Sequence, residues 1–193
     1  IIEETFNPSY IRVVEGEKEE VTALIHASFD YIFFTGSVAV GKVIAKAAAE
    51  RLTPIALELG GKSPAIVDQT ANLEVAAKRI AWGKFTNTGQ TCVAPDYVLV
   101  HKDVYDRFMK KFKEAIRSFY GKNPLKSPDY GRIVNLRQFD RLQQILVEER
   151  DAITFGGRTD RDDLYIEPTI IEYVKWTSPS MQDELFGPIL PVM

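Results

Sequence analysis

Tyr31-Ile32-Phe33-Phe34-Thr35-Gly36-Ser37-Val38-Ala39-Val40-Gly41 opens the stretch that decides the fold, and Ile55-Ala56-Leu57-Glu58-Leu59 closes it. The unbroken apolar run Tyr31 to Phe34 is what a buried parallel strand requires. Gly36 and Ser37 then break the run, and the alanine-rich span Val38 to Leu52 predicts a helix. Pro54 stops that helix ahead of a second strand, Ile55 to Leu59. Upstream, Ile11 to Val14 predicts a short strand and Glu17 to Ala27 a helix. The resulting β-α-β-α-β order points to part of a doubly wound parallel sheet.

Downstream, a second β-α series begins. Strands are expected at Ala65 to Val67, Tyr97 to Val100, Ile153 to Phe155, Pro168 to Ile171 and Ile189 to Val192. Helices are expected at Leu73 to Trp82, Val104 to Phe119 and Leu136 to Glu149. In the second of these, Val104, Phe108, Phe112, Ala115 and Phe119 fall on helical spacing and predict its buried stripe. The best boundary lies at Glu58 to Gly61, which divides the chain into residues 1–58 and 59–193.

Composition fits an α/β globule. The 193 residues are 45% apolar and 26% charged, with a net charge of −3. That balance lacks the basic excess of general nucleic-acid binders. One cysteine excludes an intramolecular disulfide and fits a reducing compartment, so a cytoplasmic location is expected. Two histidines, far apart at His26 and His101, argue against a metal site, and none is expected. No apolar run reaches the roughly 18–20 residues of a membrane span. The first residue is Ile, without signal-peptide character, and the chain stops inside the apolar run Pro188 to Met193. An internal piece of a longer protein is the expectation; a trimmed complete domain is the alternative.

Several side chains could carry chemistry. Cys92 follows Asn87-Thr88-Gly89-Gln90-Thr91 and precedes Val93-Ala94-Pro95. A lone cysteine is ordinarily a small buried apolar residue. Here the polar flank and Pro95 suit a sulfur presented from a loop. A nucleophilic role needs help to form thiolate, because an unperturbed thiol has a pKa of about 8.5. His26 and His101 are the candidate partners for a Cys–His pair, but solvated loop positions suit both, and no protease signature surrounds them.

Glu58 interrupts an apolar strand pattern. It is either an edge residue facing water or a general base at a strand end, where open α/β sheets bind ligands. Partial burial would raise its pKa toward neutrality, and Gly60-Gly61 would let a ligand approach the backbone. Gly36-Ser37-Val38-Ala39-Val40-Gly41 spans a strand-to-helix turn, where free amides can hold phosphate. It is not the GxGxxG fingerprint, and Ser37 has an alternative reading as a helix N-cap. Glu184-Leu185-Phe186-Gly187-Pro188 reads by itself as a turn with a buried Phe.

Taken together, four stretches resemble the aldehyde dehydrogenase superfamily. They are Phe34-Thr35-Gly36-Ser37, Leu57-Glu58-Leu59-Gly60-Gly61-Lys62, Gly89-Gln90-Thr91-Cys92 and Glu184-Leu185-Phe186-Gly187-Pro188, in the family's order. Two more, Gln90 to Tyr97 and Tyr130-Gly131-Arg132-Ile133-Val134-Asn135, look like its class 3, fatty-aldehyde-type branch. The resemblance implies the second half of a doubly wound dinucleotide-binding domain joined to part of an α/β catalytic domain. It also implies NAD- or NADP-dependent oxidation of an aldehyde to an acid, through a thiohemiacetal and thioester on Cys92. Glu58 would be the general base. Gly36 and Ser37, with Gly41 behind them, would lie at the cofactor pyrophosphate. Glu184 would hold the nicotinamide ribose, and Phe186 would pack near the nicotinamide.

The resemblance further implies a homodimeric parent. Some members of the branch carry a C-terminal membrane anchor, for which this chain shows no segment. Family chains are more than twice as long. Their upstream segments carry the adenosine-ribose contacts and an amide of the oxyanion hole, so the choice between NAD and NADP is not legible. Leu185 stands where Ile is more usual, a volume-conserving change. Two other functions fit the same residues: a truncated non-catalytic piece, and a cofactor-independent thiol esterase or acyl transferase.

Overall fold

The computed structural model describes residues 1–193, which form two compact units, Ile1–Gly60 and Gly61–Met193. The first contains α1 (Ile2–Thr5), α2 (Lys18–Ile25), β1 (Ile32–Gly36), α3 (Val38–Ala49) and β2 (Ile55–Leu59). Glu17 and Glu20 close a capping box at the start of α2. Strands β1 and β2 pair in parallel, with Thr35 opposite Glu58 and Gly36 opposite Leu59. The connecting helix α3 packs on both strands, burying Ile44, Ala47 and Ala48.

Three expectations for this unit are corrected. Ile11 to Val14 is not a strand, because no second strand runs beside it to complete a ladder. The run Tyr31 to Phe34 is not buried on both faces; residues alternate along β1, and Phe33 is 65% exposed. Within this unit α3 covers one face of the strand pair. Helix α3 ends at Ala49 rather than Leu52. There Thr53 N donates to Ala48 O and Leu52 N to Ala49 O, with Leu52 left-handed at φ 56°. That is a Schellman-type stop.

The second unit continues with β3 (Pro64–Val67), α4 (Leu73–Phe85), β4 (Tyr97–Val100), α5 (Tyr105–Tyr120) and α6 (Leu136–Glu148). Next come β5 (Ile153–Phe155), β6 (Thr159–Asp160), β7 (Tyr165–Ile166), β8 (Thr169–Glu172), α7 (Pro179–Gln182) and β9 (Ile189–Val192). Five strands form one sheet in the order β3-β4-β9-β8-β5, parallel except for the β5–β8 pair. Strands β6 and β7 form a separate antiparallel pair.

Alternation along the strands builds two cores. Val98, Ile170, Leu190 and Val192 pack with Phe85 of α4 and Phe108 and Phe112 of α5. Ile171 and Ile189 join Phe139, Leu142 and Leu146 of α6 in the second cluster. Each fully buried Phe or Leu contributes about 1.5–3 kcal/mol of transfer free energy. The stripe of α5 runs through Met109, Ile116 and Tyr120 as well, whereas Phe119 lies at its exposed margin. No helix is long and apolar enough to cross a membrane.

Candidate active site

In the first unit, Gly36, Ser37 and Glu58 lie at the carboxyl ends of two parallel strands, and Gly41 lies within α3. Gly36 ends β1, and Ser37 caps α3 through its hydroxyl, which accepts from Val40 N at 3.4 Å. The N-cap reading of Ser37 therefore holds. The earliest amides of α3 lack helical acceptors, which leaves donors for an anion. A Cβ on Gly41 would come within 2.8 Å of Leu59 Cδ2, so glycine permits close seating of α3 on β2. Glu58 is exposed rather than partly buried, because its strand position faces away from α3 while Leu57 and Leu59 are partly covered. The desolvation expected of it is absent within this unit.

Cys92 belongs to the second unit and is exposed, which excludes the buried apolar reading. It occupies a turn closed by Ala94 N donating to Thr91 O at 3.1 Å. The preceding backbone is left-handed at three successive residues: Asn87 at φ 50°, Thr88 at φ 53° and Gly89 at φ 74°. Such a run is costly for non-glycine residues and needs support. Gln90 gives it: its side-chain amide binds Asn87 O, Thr88 Oγ1 and Arg132 O and accepts Val134 N. A Cβ on Gly89 would strike Gly187 O, so the cysteine loop and the Glu184–Pro188 segment pack backbone to backbone.

The second link between those segments is Asp96, 3% exposed, four residues beyond Cys92. Its carboxylate accepts Leu185 N on both oxygens, at 3.1 and 3.2 Å. Lys62 Nζ lies 2.6 Å from it and also donates to Ser180 O and Asp183 O, at 2.6 and 3.0 Å. Lys84, fully buried on α4, stands 3.5 Å away. Burial pushes the Lys84 ammonium down to about 8, against the pull of Asp96. Arg141 donates to Leu185 O from the other side.

The Glu184–Pro188 segment differs from its isolated reading. Leu185 is the buried residue, while Phe186 is 39% exposed and left-handed at φ 47°. Glu184 is half-buried, and burial pushes its carboxyl above the usual value; the Gly61 amide opposes this, and nearby Asp96 reinforces it. A half-buried carboxylate beside an exposed ring fits a group that presents hydroxyls and a flat face.

Neither histidine serves Cys92 as a hydrogen-bonded partner. His26 caps the end of α2. His101 accepts from Asp103 N at 3.3 Å and lies beyond the far end of β4. Sequence reasoning missed Asp96, Lys84 and Arg141 as parts of the site, though Asp96 and Lys62 lay inside quoted motifs. The available signal was a carboxylate and a lysine, Asp96 and Lys84, flanking the cysteine within one short stretch.

Known proteins resemble this chain along its whole length. The aldehyde dehydrogenase family profile matches residues 1–193. The 4,4'-diaponeurosporen-aldehyde dehydrogenase of Staphylococcus aureus is 55% identical over 193 residues, covering 100% of this chain and 42% of that protein. Aldehyde dehydrogenase family 3 member A2 of Rattus norvegicus is 50% identical over 181 residues, covering 94% of this chain and 37% of that protein. A dimeric NADP-preferring aldehyde dehydrogenase of Rattus norvegicus is 48% identical over 181 residues, covering 94% and 40%.

Among solved structures, a substrate-bound state of Staphylococcus aureus AldH matches with a TM-score of 0.96 and 55% identity, over 100% of this chain and 42% of that one. An indole-3-acetaldehyde dehydrogenase complexed with NAD+ matches with a TM-score of 0.81 and 31% identity, over 90% and 37%. The chain thus spans about two fifths of the length of these relatives. With the family matched from its first residue to its last, the chain belongs to the aldehyde dehydrogenase family.

Proposed function

We propose that this chain supplies the nucleophile, the general base and part of the cofactor cradle of an NAD(P)-dependent aldehyde dehydrogenase. The observation that carries the reading is Cys92, exposed in a turn whose approach is held by Gln90 and whose exit is anchored by Asp96. The Cys92 thiolate adds to the aldehyde carbon and generates a tetrahedral oxyanion, which backbone amides of the turn can stabilise. Collapse of that adduct expels hydride and leaves a thioester on Cys92. Glu58 takes a proton from water as the water attacks the thioester carbon, releasing acid and thiolate. One aldehyde and one water thus give one carboxylic acid, one hydride and one proton.

The nicotinamide cofactor, when bound, accepts the hydride. Gly36, Ser37 and Gly41 would hold its pyrophosphate, Glu184 its nicotinamide ribose, and Phe186 would pack near its ring. The free amides at the start of α3 and the exposed Phe186 beside half-buried Glu184 support this fit. Relatives support either dinucleotide, one being named NADP-preferring and another being complexed with NAD+. A relative named dimeric supports a homodimer as part of the same reading, to which the fatty-aldehyde-type motifs and the single cysteine add a fatty-type aldehyde and a cytoplasmic setting.

The test is turnover of long-chain and aromatic aldehydes by the full-length protein with each dinucleotide, followed by reduced-nicotinamide absorbance. Cys92→Ala abolishes oxidation, and Glu58→Gln slows deacylation behind a burst of reduced cofactor. Equal rates for wild type and Cys92→Ala under saturating aldehyde would sink the assignment. Ester hydrolysis with no cofactor reduction would favour a thiol esterase instead.

A further inference from the structure

Gln90 has the most fully engaged side chain of the cysteine loop. Its Nε2 donates to Asn87 O at 3.1 Å, Thr88 Oγ1 at 2.7 Å and Arg132 O at 3.0 Å. Its Oε1 accepts Val134 N at 2.9 Å. The nitrogen faces three oxygens and the oxygen faces an N–H, so only one orientation of the amide satisfies every partner. The backbone repeats the closure: Gln90 N donates to Asn87 O, and Asn87 Nδ2 donates to Gln90 O, both at 3.1 Å. What is held this way is the left-handed pair Asn87 and Thr88, a conformation that persists only where its surroundings over-determine it. Cys92 follows two residues later, with no hydrogen bond to fix its own thiol.

On the reading of Cys92 as nucleophile, we propose that Gln90 is its positioning residue. The two-ended amide pins residues 87–92 to the Arg132–Val134 segment and so sets where the Cys92 sulfur stands. Asparagine is one methylene too short to span the gap, and an apolar residue of the same length leaves the facing groups without partners. Glutamate is the informative replacement. Ionised, it still accepts Val134 N but turns an acceptor toward three oxygens; protonated, it regains an O–H donor. The ionisable groups of the neighbouring segments are engaged elsewhere. Arg132 is turned onto Asp163 and Leu125 O, and the Tyr130 hydroxyl donates to Ile166 O. On the loop's own side, Lys84 is paired with Asp96.

The experiment compares full-length wild type, Gln90→Glu and Gln90→Met for aldehyde oxidation and for iodoacetamide alkylation of Cys92, read by peptide mass, from about pH 8 down to about pH 5.5. At the upper end Gln90→Glu loses kcat by at least about ten-fold while KM stays within about two-fold. Its alkylation rate departs several-fold from wild type. As pH falls, both ratios return toward one, while those of Gln90→Met stay displaced and flat. A Gln90→Glu ratio equal to one throughout, or a deficit the same at every pH, overturns the proposal. If Gln90→Glu does not fold, Gln90→Met decides: alkylation equal to wild type overturns it, and a several-fold departure supports it. A wild type that oxidises no aldehyde, with the alkylation ratios as expected, sinks the dehydrogenase reading and leaves Gln90 as the residue that sets the Cys92 loop.

Discussion

Asp96 binds the backbone of Leu185 with both carboxylate oxygens, at 3.1 and 3.2 Å, across 89 positions of sequence. One buried carboxylate therefore registers the exit of the cysteine turn against the segment carrying Glu184 and Phe186. Its charge is balanced by Lys62 at 2.6 Å and Lys84 at 3.5 Å. Lys62 passes the constraint on by donating to the last carbonyls around α7. The cluster holds two cations against one anion, so its stability depends on that anion more than on either lysine.

Removing the anion is the direct test. Asp96→Ala strands buried Lys84 and the Leu185 amide, and breaking a buried pair this way costs about 3–5 kcal/mol. Asp96→Asn keeps an acceptor for Leu185 N and should lose less, although its NH2 then faces the lysines. Urea unfolding at constant m reads the difference as a shift of midpoint. An Asp96→Ala midpoint equal to wild type would show that the cluster does not stabilise the fold.

Lys84 gives the same cluster a pH signature. Folded Lys84 releases its proton near pH 8, held down first by burial, whereas an unfolded lysine does so only near about 10.4. Between those values the unfolded chain binds more protons, so stability rises with pH, by on the order of 3 kcal/mol in total. Above about pH 10 the buried tyrosines reverse the slope, since burial raises Tyr105, Tyr130 and Tyr165 above their ordinary value and the native state then holds more protons. Unfolding free energy should therefore climb from pH 8 to 10 and fall beyond. Lys84→Met should abolish the climb; persistence of the climb in that variant would assign it to another group.

How far all this was legible depends on whether a feature is local. The runs Tyr97 to Val100 and Ile189 to Val192 declare strands because a continuous apolar stretch suits a covered parallel sheet, and Ile55 to Leu59 does so despite Glu58. Ile11 to Val14 carries the same residue types and fails, because a strand also needs a neighbour that its own residues do not announce. The exposure of Cys92 was readable from its polar flank. The Asp96 cluster was not, since Lys62 and Leu185 stand 34 and 89 positions from Asp96 and only the sheet order brings them together. Phe186 was misjudged for a related reason: the turn's apolar anchor is Leu185, and the left-handed backbone turns its neighbour outward.

Gly89 and Gly121 separate backbone strain from steric contact. Both have φ 74°, but a Cβ on Gly121 meets nothing within 4 Å, whereas one on Gly89 meets Lys84 O at 2.9 Å and collides with Gly187 O. Gly121→Ala should cost about 1–3 kcal/mol, the backbone term alone, and spare activity. Gly89→Ala should cost more and also lower kcat, because separating residues 89 and 187 moves the Cys92 loop relative to Glu184. Equal losses of stability in the two variants, read by thermal unfolding, would show that the contact with Gly187 is not tight.

Phe186 poses the sharpest conflict between stability and the proposed chemistry. An L-residue at φ 47° pays about 1–2 kcal/mol that glycine does not. In regular structure, Gly in place of Ala costs roughly 0.5–1 kcal/mol. At position 186 the order should invert, with Phe186→Gly more stable than Phe186→Ala by about 1 kcal/mol. Both variants lack the ring, so both should bind dinucleotide equally weakly if the ring packs near the nicotinamide. Thermal unfolding ranks the pair, and fluorescence titration with each dinucleotide measures the shared loss. An alanine variant more stable than the glycine variant would mean that the native backbone is not left-handed there. Unchanged dinucleotide affinity in both would leave the strain real but remove its reason, because a strained aromatic is worth keeping only where the exposed ring meets a ligand.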